Sequence, residues 1–342
     1  MLGLVGSPPS SGSTLFADLL DSTPYTACGE EIDIFATRKF YDFPSFKKNI
    51  LKRSLSSIYL YSVGVNKRAL HTYGLDLHTL KGLFRQANSP AAFSELLARY
   101  YFALRGKVQE GTLFEKTPQN INCLDNILET FPEAVFIFVV RNPIFVYYSM
   151  RRRGFSPYIA SATWLAECSK FYHYRTHPRV FYVKYEDLVS DPYPVVSKLL
   201  REIFRVPVDE KDLQKNFRNN QYRKLFSIRL PTWRTREVGE ISNANKLPIP
   251  EHVLSEFMRV IGKRLRPAFC KLNRIPNPGY DQLVAFFGYL DNVMETMKHI
   301  SPDPRALRPG FSDIKRLLVR WILGVRLGEA SLLQLPTFLR PL

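Results

Sequence analysis

The first part of this sequence that could do chemistry is a loop of small residues between positions 6 and 14. It reads Gly-Ser-Pro-Pro-Ser-Ser-Gly-Ser-Thr, follows the apolar run from Leu2 to Val5 and leads into the helix-like residues 14–20. A strand, tight loop and helix in this order direct backbone N–H groups and the positive end of a helix dipole at one point, which suits phosphate or sulfate. The loop lacks the Gly-Lys-Ser/Thr ending of ATP- and GTP-binding loops, so we do not expect nucleoside triphosphate hydrolysis. A plain turn is the alternative interpretation.

A second set of residues that suits an anion lies far down the chain. Val135 to Val140 is a continuous apolar run, typical of a strand buried on both faces, and Arg141 follows it directly. Pro143 suits the first turn of a new helix, which would carry Ser149 and the arginines at positions 151–153. A strand-end guanidinium and a helix hydroxyl predict a second phosphate site. An arginine run alone is typical of a solvated helix face, but two separate anion sites favour a function.

These two segments resemble the sulfotransferases that use 3′-phosphoadenosine-5′-phosphosulfate (PAPS). Residues 11–14 (Ser-Gly-Ser-Thr) resemble the family's 5′-phosphosulfate loop, and residues 140–143 (Val-Arg-Asn-Pro) with Ser149 resemble its 3′-phosphate element. Residues 114–118 (Phe-Glu-Lys-Thr-Pro) and 183–192 fit the same pattern. The resemblance implies an α/β, three-layer P-loop-like fold, with a short central parallel sheet flanked by helices and a mainly helical C-terminal part. It also implies PAPS as donor, adenosine 3′,5′-bisphosphate (PAP) as product and no metal.

A more specific resemblance concerns the catalytic residues. Residues 28–31 (Cys-Gly-Glu-Glu) are similar to the tyrosylprotein sulfotransferase branch and its bacterial relatives, in which the second glutamate is the catalytic base. Glu31 is therefore expected to take the acceptor proton, and Lys116, after the predicted strand 112–115, to face the bridging oxygen of the donor. The alternatives are a surface acidic pair for Glu31 and, for Lys116, an ion pair with Glu115 or another carboxylate.

The chain also departs from the family pattern in the donor site. The donor-binding residues that the resemblance implies are Ser10, Ser11, Gly12, Ser13, Thr14, Arg141, Ser149, Tyr185, Arg234 and Lys246, with Tyr185 near the adenine ring. Ser10 stands where the family has a basic residue, so another cation must replace it, and the expected candidates are Arg234, Arg236 and Lys246. These basic residues in a loop would otherwise be read as solvated.

A second departure concerns the acceptor. Asp33 stands where the tyrosylprotein branch has an arginine, and with Glu30 and Glu31 it forms an acidic cluster. We therefore expect Glu30 and Asp33 to bind the acceptor, a small molecule that is cationic or bears an amine. A glycan hydroxyl and a peptide tyrosine are the competing acceptors.

Length and composition set the domain organisation. The chain has 342 residues, of which 45% are hydrophobic and 23% charged, enough for one large or two small domains. We expect a sulfotransferase domain over residues 1–300, with a donor-binding core at 1–192, a helical acceptor insertion at about 38–105 and a helical cap at 193–300. Within the cap the pattern predicts helices at 194–204 and 250–265. Residues 301–342 would form a Pro-rich linker and a basic amphipathic helix.

The net charge of +17 indicates anionic partners. A non-catalytic nucleic-acid- or heparin-binding protein is thus a second interpretation, and an ATP-dependent small-molecule kinase is a third. No RRM, zinc-finger or helix-turn-helix signature appears in the sequence, which argues against a specific nucleic-acid partner.

Cysteine usage and the chain ends bear on location. The four cysteines are widely spaced, without a metal-ligand pattern, which favours a reducing compartment. The first predicted strand starts at Leu2 and leaves no room for a signal peptide, so we expect a cytoplasmic protein. Apolar residues at helical spacing between Ile314 and Val325, with arginines alongside, predict a helix that lies on an anionic membrane, or packs on its own domain or a partner subunit. The sequence does not indicate an oligomeric state.

Overall fold

A single parallel sheet forms the centre of the protein. The computed structural model describes residues 1–29, 31–52, 75, 77–108, 110–219 and 240–302. In this part of the chain the strands are β1 Leu2–Gly6, β2 Thr26–Cys28, β3 Thr112–Lys116, β4 Val135–Val140 and β5 Val180–Lys184. They are ordered β2-β3-β1-β4-β5, and all neighbouring pairs are parallel. Because parallel strands end at the same edge, the loops after β1, β3 and β4 meet there.

Helices cover both faces of this sheet. The described α-helices are α1 Ser13–Leu20, α2 Phe43–Lys52, α3 Leu77–Gln86, α4 Pro90–Leu104, α5 Leu124–Thr130, α6 Pro143–Arg152, α7 Pro157–Tyr174, α8 Tyr185–Ser190, α9 Pro192–Glu202, α10 Glu210–Asn219, α11 Glu251–Met258, α12 Pro267–Asn273, α13 Tyr280–Phe286 and α14 Leu290–Met297. Short 3₁₀ turns lie at Arg38–Tyr41, Pro118–Cys123 and Ala244–Lys246.

The strands alternate between two hydrophobic cores. Phe136 and Phe138 pack in one core with helix α7, whereas Ile137 and Val139 pack in the other with helices α1 and α9. Since successive side chains of a strand point to opposite faces, a strand covered on both sides must be apolar throughout, as residues 135–140 are. The result is a three-layer arrangement of helices, sheet and helices.

The fold class predicted from the sequence is confirmed, including the short parallel sheet and the mainly helical C-terminal part. Two helix boundaries differ. The helix predicted at 194–204 begins at Pro192, because proline suits the first helical turn. The helix predicted at 250–265 ends at Met258, and Gly262 then adopts a φ of +79°. The domain boundaries stay predictions, and the predicted C-terminal helix lies outside the described residues.

Candidate active site

The loop after β1 has the shape of an anion cradle. Gly12 caps helix α1 with φ +88°, and an added Cβ would lie 2.2 Å from Cδ2 of Tyr185, so only glycine fits here. The side chains of Ser7 and Ser11 are buried, and among the described residues their hydroxyls have no hydrogen-bond partner. Buried hydroxyls without partners are unusual in proteins and suit a bound polar group. Ser13 and Thr14 follow in the first turn of α1.

Arg141 lies against this loop. Its Nη1 donates to the Ser10 carbonyl over 3.0 Å, its Nε donates to Oδ1 of Asn245 over 2.8 Å, and its guanidinium carbon lies 4.5 Å from the Tyr185 ring centroid. Burial lowers the pKa of the guanidinium, while Tyr185 and Glu186 oppose the shift. The two predicted anion sites are therefore adjacent, with Arg141 held in one orientation by two oxygen acceptors and an aromatic face.

Tyr185 is placed between the two sites. The tyrosine is buried, its ring borders both Gly12 and Arg141, and its hydroxyl donates to the Ser242 carbonyl over 3.0 Å and accepts from the Ala244 amide over 3.1 Å. The segment 242–246 is thereby fastened over this edge of the sheet. Ser149 lies half-buried on α6, two turns after the start of that helix at Pro143.

Two residues of this network were not singled out from the sequence. Asn245 orients Arg141, and its own amide donates to Oε1 of Glu186 over 2.8 Å. Glu186 Oε1 also accepts from the Asn142 amide over 3.1 Å, and its Oε2 accepts from the Tyr289 hydroxyl over 2.7 Å. The position of Glu186 next to Tyr185 was the available signal for it. No feature of the sequence pointed to Asn245. The prediction went instead to its charged neighbour Lys246, which is exposed.

Glu31 and Lys116 meet at the same edge. Nζ of Lys116 donates to Oε1 of Glu31 over 2.8 Å, with the Lys116 side chain 1% exposed and the Glu31 side chain 26% exposed. The register pairs Lys116 with Val5, directly before the cradle loop. Of the carboxylates expected for Lys116, the described ion pair is therefore with Glu31. A partly exposed carboxylate next to a buried ammonium can accept a proton at the mouth of the site.

A cation does reach position 10, where the sequence lacks one. Nη1 of Arg153 donates to the Ser10 hydroxyl over 3.2 Å from the C-cap of α6. Arg153 is exposed; partial desolvation lowers the pKa of its guanidinium, and the charge of Glu31 opposes that shift. In sequence Arg153 belongs to the arginine run on the helix of Ser149, and the substitute cation was expected at Arg234, Arg236 or Lys246. Of these residues, Arg234 and Arg236 lie outside the described part of the chain.

The predicted acceptor residues are only partly described. Asp33 has φ +57°, its amide donates to Oγ1 of Thr117 over 3.2 Å, and its carbonyl accepts from Oγ1 of Thr37 over 2.8 Å. Glu30 lies outside the described residues.

No group of three or more His, Cys, Asp or Glu suited to a metal occurs within the described ranges. Over the same ranges no helix is long and apolar enough to span a membrane. The four cysteines are buried.

Comparisons with known proteins bear on the family and the fold. A model described as the sulfotransferase family matches residues 4–210. The solved sulfotransferase domain from the Synechococcus PCC 7002 olefin synthase is similar, with a TM-score of 0.52 and 21% identity over 76% of this chain and 92% of that chain. The sulfotransferase domain from the curacin biosynthetic pathway has a TM-score of 0.51 and 20% identity, over 76% and 95% of the two chains. Comparison with curated proteins gives no significant match.

Proposed function

This chain belongs to the sulfotransferase family, and we propose that it transfers a sulfuryl group from PAPS to a hydroxyl or amine of a small-molecule acceptor. The contact that carries this proposal is the hydrogen bond from Arg141 to the Ser10 carbonyl over 3.0 Å. It joins the two anion sites into one cradle, as a nucleotide with phosphate groups at its 3′ and 5′ positions requires. A family sulfotransferase whose two sites lay apart would have no place for such a donor.

The residues present fit this donor. The buried Ser11 hydroxyl, which has no partner among the described residues, suits the 5′-phosphosulfate, together with the amides from Ser11 to Thr14. Arg141 and Ser149 would hold the 3′-phosphate, since a guanidinium whose Nε and Nη1 are already oriented can still donate from Nη2. Tyr185 would border the adenine. Arg234 and Lys246 are proposed as further donor contacts because their sequence resembles the family loop that folds over the donor.

Glu31 would act as the general base. In the transfer, the acceptor O–H or N–H bond breaks and its proton goes to the Glu31 carboxylate, while a new bond to sulfur forms and the bond to the bridging oxygen breaks. When bound, PAPS supplies the activated sulfuryl group and its own leaving group. Lys116 and Arg153 would neutralise the charge that develops on the oxygens, as preorganised cations do in phosphoryl transfer.

The acceptor is proposed from charge. Asp33 lies two residues after Glu31. Together with Glu30, its negative charge would favour a cationic or amine-bearing small molecule over the glycan or tyrosyl acceptors. A screen of PAPS turnover against small amines, sugars and tyrosyl peptides tests this order. Faster turnover with a tyrosyl peptide or a neutral sugar than with every amine would contradict the cationic acceptor without affecting the donor assignment.

The test of the function is Glu31→Gln. We expect it to lower kcat with the best acceptor of the screen by about 10² to 10⁴, the usual contribution of a general base, and to leave the Kd for PAP in calorimetry nearly unchanged. Glu129→Gln on the exposed face of α5 is the matched control, and it should retain both values. Retention of turnover by Glu31→Gln would exclude this base. Failure of the wild-type protein to bind PAP, or binding of PAP that disappears steeply with added salt, would exclude the donor and favour a polyanion-binding surface.

A further inference from the structure

A buried carboxylate lies directly beneath the loop that carries Glu31. Glu115 is 0% exposed, and burial raises its pKa, with the hydrogen bonds to it acting in the opposite direction. A buried carboxylate is tolerated only where donors satisfy its oxygens. Glu115 accepts from the Ile32 amide over 3.2 Å, from Oγ1 of Thr117 over 2.6 Å and from Nδ2 of Asn120 over 2.6 Å.

These donors connect Glu115 to three segments of the chain. The Ile32 amide belongs to the peptide that immediately follows Glu31, and the next amide, of Asp33, donates to Oγ1 of Thr117 over 3.2 Å. Asn120 also donates from Nδ2 to the Val5 carbonyl of β1 over 3.1 Å. Glu115 and Thr117 thus hold two successive amides of the Glu31 loop, and Asn120 ties the same carboxylate to the strand that precedes the cradle.

The loop is fixed by contacts with other parts of the chain, which include the burial of Ile32 in the core and the hydrogen bond from Thr37 to the Asp33 carbonyl. Residues 31–33 form no helix or strand, and Asp33 has a φ of +57°, which a non-glycine residue adopts only when its surroundings hold it there. The side chain of Lys116, between Glu115 and Thr117 in sequence, bonds the Glu31 carboxylate itself. Three consecutive residues at the end of β3 therefore hold one loop, two by its backbone and one by its side chain.

We propose that Glu115, through Thr117, positions the Glu31 carboxylate for proton transfer. Neither residue touches the reacting atoms, so both are positioning residues, and the inference rests on the proposed role of Glu31 as the base. Small displacements of a catalytic group lower the rate steeply, whereas the donor cradle is built from the β1 and β4 loops. Loss of the hydrogen bonds that Glu115 and Thr117 make with the Glu31 loop should therefore lower kcat and leave donor binding intact.

The principal variants are Glu115→Gln and Thr117→Val. In Glu115→Gln an amide N–H₂ group replaces one oxygen, so it faces either the Ile32 and Thr117 donors of Oε1 or the Asn120 donor of Oε2. Thr117→Val removes the hydroxyl at nearly constant volume. We expect kcat to fall about 10- to 100-fold in each, as for a misplaced catalytic group, with the KM for PAPS and the Kd for PAP within about twofold of wild type. Thr117→Ser keeps the hydroxyl and should rescue most of the loss. Thr112→Val, at the amino end of β3 and roughly 16 Å away along the strand, is the matched control and should retain kcat.

A double-variant cycle separates positioning from general damage. If Thr117 acts through Glu31, Thr117→Val should lower the residual turnover of Glu31→Gln by less than about twofold, because the group it positions is already gone. Unchanged kcat in folded Thr117→Val, equal losses in kcat and PAP affinity, or full multiplicative loss in the double variant would overturn the proposal. Should Glu31→Gln alone retain turnover, the base assignment fails first. A loss of kcat in Glu31→Gln without a loss of kcat in Thr117→Val refutes only the positioning role of Glu115 and Thr117. Thr117→Val and Thr117→Ser keep the test decisive if Glu115→Gln does not fold.

Discussion

We expect Asp21→Asn to destabilise the protein by about 3–5 kcal/mol at pH 6, and by less as the pH rises. Oδ1 of Asp21 accepts from Nζ of Lys107 over 2.9 Å and from the Cys28 amide over 3.0 Å, and Oδ2 accepts from Nη1 of Arg105. All three charged side chains are at most 2% exposed. Removal of the carboxylate takes the Asp21 charge away from two buried cations, and breaking a buried ion pair on one side is strongly destabilising.

The pH dependence follows from Lys107. Burial lowers the pKa of Lys107 from 10.5 to about 8, while the Asp21 charge and hydrogen bond oppose that shift. Between these values the unfolded chain binds a proton that the folded protein does not, so stability rises with pH there. Without Asp21 the folded pKa of Lys107 must fall further, and the rise begins at a lower pH. Each pH unit over which only the variant's Lys107 is neutral narrows the difference in unfolding free energy by about 1.4 kcal/mol.

Urea unfolding followed by tryptophan fluorescence, at pH 6, 7 and 8, measures this difference. Asp212→Asn, an exposed aspartate in the first turn of α10, is the matched control and should change the unfolding free energy by about 0.5 kcal/mol at every pH. A loss below about 1 kcal/mol at pH 6 for Asp21→Asn, or a loss that stays constant from pH 6 to 8, would refute the reasoning. The second result would show that Lys107 keeps its proton in the folded variant.

Two further predictions concern the donor cradle. Gly12→Ala places a Cβ 2.2 Å from Cδ2 of Tyr185 at a φ of +88°, so PAP affinity in calorimetry should fall more than tenfold while circular dichroism stays native. An unchanged Kd would contradict the close approach. Arg153→Ala should lower kcat about 10²- to 10³-fold, with PAP affinity nearly retained, whereas the exposed neighbour Arg152→Ala should retain both. An equal loss of PAP affinity in Arg153→Ala would show that this guanidinium acts on the nucleotide rather than on the transferring group.

Strands β1, β3 and β4 were predictable because the relevant signals are local. An apolar run such as Val135–Val140 can be stable only as a strand covered on both faces, and the loop before Gly12 needs only its own small residues to turn. The placement of Arg141 and Lys116 at one edge of the sheet was also predictable, because each comes at the end of a strand and the strand ends of a parallel sheet share one edge.

Contacts that join distant segments were not predictable in this way. The sequence did not show which carboxylate forms the ion pair with Lys116, because the neighbouring Glu115 was as plausible a partner as any other nearby carboxylate. Successive side chains on a strand point to opposite faces, so Glu115 bonds Ile32 and Thr117 while Lys116 reaches Glu31. Likewise the contact of Arg153 with Ser10 depends on where α6 ends relative to the β1 loop, which no local pattern encodes.

The C-terminal part of the chain makes contacts with the proposed donor site. The family match ends at residue 210, yet Asn245 orients Arg141, and Tyr289 bonds the Glu186 carboxylate that in turn holds Asn245. The Asn142 side chain, next to Arg141, donates to Oδ1 of Asn292 over 2.6 Å. A guanidinium without these acceptors would keep its charge and lose its direction, and a phosphate site depends on both. We therefore propose that the donor-binding unit extends to at least Asn292, and that helices beyond the recognisable motifs set the geometry of the second anion site.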